Sequence, residues 1–256
     1  MDYRDVLRRI FADLRIAVAL CTRVPLAPAE PVGDGELARA SWGFPVAGLV
    51  VGLAGAVVYW LAWRTHVPPP AAAALTLAAT ILLTGAMHED GLADAADGLG
   101  GGKTREQKLQ IMRDSRIGTY GACALALSLM LRWSAIAAIE EPRLVAAALL
   151  AAHAAARATV PAFMRFVPPA RAEGLSAGVG QPPPSSVAIA LALGIACLIF
   201  CLGVHAAVLG VTTVLVVGLL LAWLARSQIG GQTGDVLGAM EQIGEAAVLL
   251  IAASVL

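Results

Sequence analysis

Residues 187–224 read VAIALALGIACLIFCLGVHAAVLGVTTVLVVGLLLAWL, with no Asp, Glu, Lys or Arg among them. A helix needs about 20 apolar residues to cross a bilayer, so this stretch predicts two crossings, near Val187–Gly203 and His205–Leu224, meeting at a glycine. Working outward, further segments of that kind lie near Trp42–Trp63, Ala71–Met87, Thr119–Ile139, Leu144–Phe163 and Val236–Leu256. The whole chain agrees, being 59% hydrophobic and 14% charged with a mean hydropathy of +0.77. Such a composition excludes an ordinary soluble domain. The expected fold is all-α: a polytopic membrane helical bundle of about seven transmembrane helices, forming one domain over residues 1–256.

Charge orients the bundle. Lys plus Arg and Asp plus Glu both number 18, so no basic excess points to nucleic acid and no acidic excess to disorder. Basic residues gather before the first span (Arg4, Arg8, Arg9, Arg15, Arg23, Arg39), between the second and third (Lys103, Arg105, Lys108, Arg113, Arg116), and after the fourth and sixth (Arg165, Arg171, Arg226). Only Arg64 and Arg143 fall on the other set of loops, so the N-terminus is expected in the cytoplasm. The run Ile10–Cys21 is too short to span and is broken by Asp13 and Arg15. It reads as an interfacial helix, with no secretory signal. Cys21, Cys123, Cys197 and Cys201 lack metal-type spacing and read as small packed hydrophobes.

The densest polar cluster follows the second span: HEDGLADAADG, residues 88–98. If that helix continues beyond the membrane, Asp90, Asp94 and Asp97 fall at i, i+4 and i+7 on one face. Unpaired, they repel one another, and a divalent cation relieves the repulsion. An all-oxygen ligand set selects a hard ion and favours Mg²⁺. The alternative is a solvated acidic cap, but Gly91 and Gly98 allow close approach, and the cluster runs into a glycine loop, Leu99 to Lys103. His88 reads as a ligand, a general base or an interfacial polar residue.

Three further clusters carry polar chemistry. In RDSRIGTYG, residues 113–121, Arg113 and Arg116 suit phosphate oxygens or simply mark the cytoplasmic side, and Asp114 offers a fourth carboxylate. In GGQTGDVLGAMEQIGE, residues 230–245, Gly230, Gly231 and Gly234 near a helix start suit an anion-binding turn, and the cluster, with Asp235, opens the last span. Gly234, Gly238, Glu241 and Glu245 share one helix face; Glu245 lies so deep that it requires a function or a partner such as Arg132 or Arg157. Arg157, also inside a span, should face a polar cavity, with Arg171 nearby in the following loop. Acids, arginines and glycine loops crowded on one face suit phosphoryl-type transfer from a diphosphate. Walker, Ser/His/Asp, zinc-helix and C-x-x-C patterns are absent.

These residues also resemble a known family, the cobalamin synthases or adenosylcobinamide-GDP ribazoletransferases. The matching stretches run in order along nearly the whole chain: Thr22 to Pro25, Phe44 to Gly48, His88 to Gly98, Ile111 to Thr119, Arg171 with Glu173 and Gly174, and Gly230 to Asp235. The resemblance implies an Mg²⁺-requiring enzyme of the bacterial inner membrane, with its active site on the cytoplasmic face. It would join adenosylcobinamide-GDP to alpha-ribazole or its 5′-phosphate and release GMP. Membrane lipid, further copies of the chain and other corrinoid-pathway enzymes are the partners it implies; nucleic acid is not. Transferred residue by residue, it makes Asp90, Asp94, Asp97 and Asp114 metal ligands, with His88, Asp90, Asp114 and Asp235 in catalysis. Arg113, Arg116, Arg157, Arg171, Gly231 and Thr233 would bind substrate. Two other readings are a CDP-alcohol phosphotransferase making a phospholipid, separable by donor preference, and a transporter. A transporter places its substrate groups near the midplane, whereas these clusters crowd one face.

Overall fold

A computed structural model describes residues 3–26, 32–33, 35–174 and 178–256. Its elements are α1 (Tyr3–Cys21), α2 (Glu36–Ala40), a 3₁₀ turn (Ser41–Gly43), α3 (Phe44–Arg64), α4 (Pro69–Thr84), α5 (Met87–Gly101), α6 (Arg105–Ile111), α7 (Thr119–Ile139), α8 (Pro142–Phe166), α9 (Pro184–Ile229) and α10 (Gly234–Val255). Proline begins α4, α8 and α9, where its missing N–H is no loss. Five helices are long and apolar enough to cross a membrane, and the α4–α5 pair passes the same test as a bent unit. The chain is therefore a multi-pass, all-α bundle.

At its centre runs α8, packed by α3, α9 and α10. Nearly half of its buried residues are alanine, including Ala148, Ala151, Ala152, Ala154 and Ala156, so neighbouring backbones come close. A Cβ on Gly48 of α3 would stand 2.2 Å from the His153 carbonyl oxygen, and one on Gly52 would stand 2.8 Å from that of Leu149. Small residues at helix crossings are how membrane bundles gain packing when hydrocarbon already surrounds them.

The second span differs from expectation. The sequence reads as apolar from Ala71 to Met87, but α4 stops at Thr84, because Gly85 (φ 68°) and Ala86 (φ 59°) both turn left-handed. The chain leaves at 89° as α5, so the acids lie on a separate helix rather than on an extension of the span. That helix packs against α7 and α10, and a Cβ on Gly91 would meet Gly238 Cα at 3.1 Å. The expected glycine loop is also helical: α5 runs through Leu99, Gly100 and Gly101 and ends only at Gly102.

The glycine between the fifth and sixth predicted crossings is a true break. Gly203 has φ 81° and ψ 169° within α9, and a Cβ on Gly210 would lie 3.5 Å from the Leu198 side chain. Along a straight helix those residues would be about 18 Å apart; the two arms fold back on each other. In α1 the second half docks through buried Ala17, Val18 and Cys21, and Arg39 and Trp42 hydrogen-bond Asp13. The first half projects, with Tyr3 and Phe11 exposed.

Candidate active site

The break after α4 brings the start of α5 beside the start of α10, and a cavity of about 240 Å³ opens there. One wall is polar: His88 and Asp90 from α5, Arg157 from α8, Arg171 from the following loop, and Asp235 from α10. The other is apolar: Leu20, Phe44, Val160, Met164 and Leu237. A concave site with an apolar side and a few convergent charged groups is the usual form of a small-molecule site. The negative charges of Asp90, Asp235 and Asp97 all act on Asp94, so Asp90, Asp94 and Asp235 form one group of mutually repelling carboxylates. Among the described residues, one of these acids has a cation near it, Asp235 Oδ2 with Arg171 Nη2 at 3.6 Å. All-oxygen donors of this kind suit a hard divalent cation, though among the described residues their oxygens do not converge to ligand spacing.

Other predicted residues play local roles. Asp97 is buried and turns away: its carboxylate accepts hydrogen bonds from Gly118 N at 2.7 Å and Gly121 N at 2.9 Å. It caps α7, whose own N-cap residue, Gly118, has no side chain to do so. Thr233 is fully buried and caps α10, accepting from Val236 N at 3.3 Å and donating to Asp235 Oδ2 at 3.0 Å. Gly231 is required by packing, since a Cβ there would stand 2.0 Å from the Pro168 carbonyl oxygen. Asp114 is bound by Arg116 through the backbone N–H and the guanidinium, the shortest contact being 2.7 Å. That guanidinium holds the Asp114 carboxyl down at about 2. Arg113 faces Glu173 at 3.5 Å, on the surface. The cavity lining does not include Asp94, Asp97, Arg113, Asp114, Arg116, Gly231 or Thr233; Asp94 lies one turn from Asp90 on α5 and bears on the lining acids through its charge.

The profile of the cobalamin-5-phosphate synthase family matches residues 13–253. The chain belongs to this family. Relatives with the name adenosylcobinamide-GDP ribazoletransferase include one from Bradyrhizobium diazoefficiens, 60% identical over 98% of this chain and 96% of the relative. A second, from Mesorhizobium japonicum, is 48% identical over 96% and 94%. A third, from Ralstonia nicotianae, is 42% identical over 96% of each. No solved structure matches.

Beneath the pocket of this cobalamin-5-phosphate synthase family member lies a lattice of buried charges that the sequence reading found only in part. Arg132 Nη1 donates to Glu89 Oε1 and Glu245 Oε1, each at 3.1 Å. The other oxygen of Glu245 lies 3.0 Å from His153 Nδ1. Arg157 pairs with Glu241, approaches His153 Nδ1 at 3.1 Å and faces His88 Nδ1 at 3.4 Å. Gln242 donates to Glu241 at 3.0 Å. Ligand atoms of His153, Glu241 and Glu245 lie within 4.8 Å of one another, a spacing a metal would accept. The Arg157 guanidinium, in contact with both His153 and Glu241, already supplies the positive charge there. The space among these side chains has no room for a water molecule. The expected pairing of Glu245 is thus with Arg132, while Arg157 belongs to Glu241 and reaches the pocket from the lattice.

Proposed function

We propose that this protein, with Mg²⁺, transfers the phosphocobinamide moiety of adenosylcobinamide-GDP to alpha-ribazole or its 5′-phosphate. The products are adenosylcobalamin, or its 5′-phosphate, and GMP. We place the reaction at the cytoplasmic face of the bacterial inner membrane, where the excess of basic residues in the pocket-side loops orients it. The observation that carries the reading is one cavity lined by Asp90, Asp235, Arg157 and Arg171, with Asp94 acting on the same carboxylates. The names of relatives 60% and 48% identical to this chain supply the substrates.

In this reading Asp90, Asp94 and Asp235 hold Mg²⁺, and the ion supplies charge neutralisation of phosphate oxygens. Arg157 and Arg171, which line the same cavity, fix the diphosphate. A ribose hydroxyl of the ribazole attacks the corrinoid-side phosphorus, its proton passes to a pocket carboxylate, and GMP leaves. Asp97 serves by fixing α7 and its preceding loop, and Thr233 by fixing Asp235. The apolar wall excludes water from the reacting phosphorus.

Purified protein given adenosylcobinamide-GDP, alpha-ribazole 5′-phosphate and Mg²⁺ should release GMP and form the joined corrinoid in equal amounts. Activity with a CDP-alcohol and none with the corrinoid donor would move the chain to phospholipid synthesis.

A further inference from the structure

On α8, Arg157, Val160 and Met164 face the pocket. The opposite side of the same helix, with Ala158, Ala162 and Phe166, lines a second cavity, a groove of about 380 Å³ walled on its other sides by the two arms of α9. Among the described residues its lining has one polar side chain, Thr159, whose hydroxyl is already used on the Ala156 carbonyl at 2.7 Å. The rim is open and greasy: Phe166, Leu215 and Leu219 are 67%, 58% and 62% exposed.

In a membrane-spanning bundle such a groove opens onto hydrocarbon, and leaving it empty would forfeit the dispersion contacts of every atom that lines it. A transmembrane helix is about 10–12 Å across, so four turns of one occupy roughly 1,700–2,400 Å³, more than the empty space of about 1,100 Å³ in the groove, its open side included. An extended acyl chain is thin enough to enter. The second arm also carries a cation in line with the groove. Arg226 follows Leu215, Leu219 and Ala222 by eleven, seven and four residues, which is one stripe of a helix. It is exposed and makes no ion pair among the described residues. A cation at the end of an apolar stripe reaches to the level of lipid phosphates and favours anionic ones.

We propose that this groove binds one acyl chain of an anionic phospholipid, whose phosphate is held by Arg226. The site lies across α8 from the catalytic pocket and does not depend on the activity assigned there.

The test is native mass spectrometry of the full chain, released from mixed micelles of phosphatidylglycerol and phosphatidylcholine. The wild type should retain one phospholipid, with about a fivefold preference for phosphatidylglycerol. Ala162→Phe, which puts a ring into the groove, should abolish retention, and Arg226→Gln should keep the lipid but lose the preference. Ile195→Trp at the rim provides the same readout if Ala162→Phe fails to fold. A wild type that retains no lipid, or a filled groove that retains as much as the wild type, overturns the proposal. So does a dimer that Ala162→Phe dissociates in the absence of bound lipid, which would assign the groove to a second copy of the chain.

Discussion

Two neighbouring clusters are built from the same side chains yet behave as opposites. In the buried lattice, Glu89, Glu241 and Glu245 each meet a guanidinium, and Glu245 meets an imidazole as well. In the pocket beside it, Asp90, Asp94 and Asp235 crowd one another, with a single arginine at 3.6 Å from one of them. Charges away from water must be paired, so removing one partner from the lattice is costly to the fold. Acids left crowded at a cavity destabilise the fold unless a cation binds. Arg157 joins the clusters, tied to Glu241 on one side and lining the pocket on the other.

That contrast can be broken from either side. Asp235→Asn should leave the protein folded and at least as heat-resistant as the wild type, while reducing turnover by about 10²–10⁴-fold, as removal of a catalytic acid-base or metal-site group does. Normal turnover would remove Asp235 from the site. Arg132→Ala should do the reverse, stranding Glu89 and Glu245 without a cation and destabilising the fold by about 3–5 kcal/mol. Thermal unfolding in detergent measures this, and replacing the trio with neutral groups (Arg132→Met, Glu89→Gln, Glu245→Gln) should recover most of the loss.

Smaller effects sharpen the division. Asp97→Ala should destabilise by about 1 kcal/mol through loss of the α7 cap, with the Mg²⁺ concentration for half-maximal rate unchanged. A marked shift in that concentration would return Asp97 to the metal set. The smallest effect belongs to the surface pair. Arg116→Gln should let Asp114 titrate upward from about 2 toward its ordinary 3.8, followed by NMR of the carboxyl carbon. Because the depressed carboxyl is stabilised only in its ionised form, the wild-type contribution exists above the unfolded value and fades as pH falls through the folded one.

Much of this was legible in the sequence. The apolar segments, the break at Gly203 and the polar character of Asp90, Arg157, Arg171 and Asp235 all follow from residue type and spacing. Hydropathy passes smoothly through Gly85 and Ala86, so it could not reveal that two successive left-handed residues turn α5 away. The three aspartates do share a helix, but only tertiary packing shows that Asp97 faces the amides of α7 while Asp90 faces the cavity. The lattice had a signal: His153 and Arg157 are one turn apart on α8, and Glu241 and Glu245 are one turn apart on α10. Four ionisable groups at matched spacing on two apolar helices require each other. Glu89, one residue before Asp90, offers no such pattern; its partner lies on α7.

The central claim is that the open acids hold a metal for the transfer. Its most direct measurement is the Mg²⁺ dependence of GMP release from adenosylcobinamide-GDP, in the wild type and in Asp90→Ala, with corrinoid product followed in the same samples. The account predicts that the wild type saturates with Mg²⁺ and is silenced by EDTA, and that folded Asp90→Ala stays nearly inactive at all Mg²⁺ concentrations. Wild-type turnover that survives EDTA, or an Asp90→Ala protein with a normal Mg²⁺ curve, would contradict it.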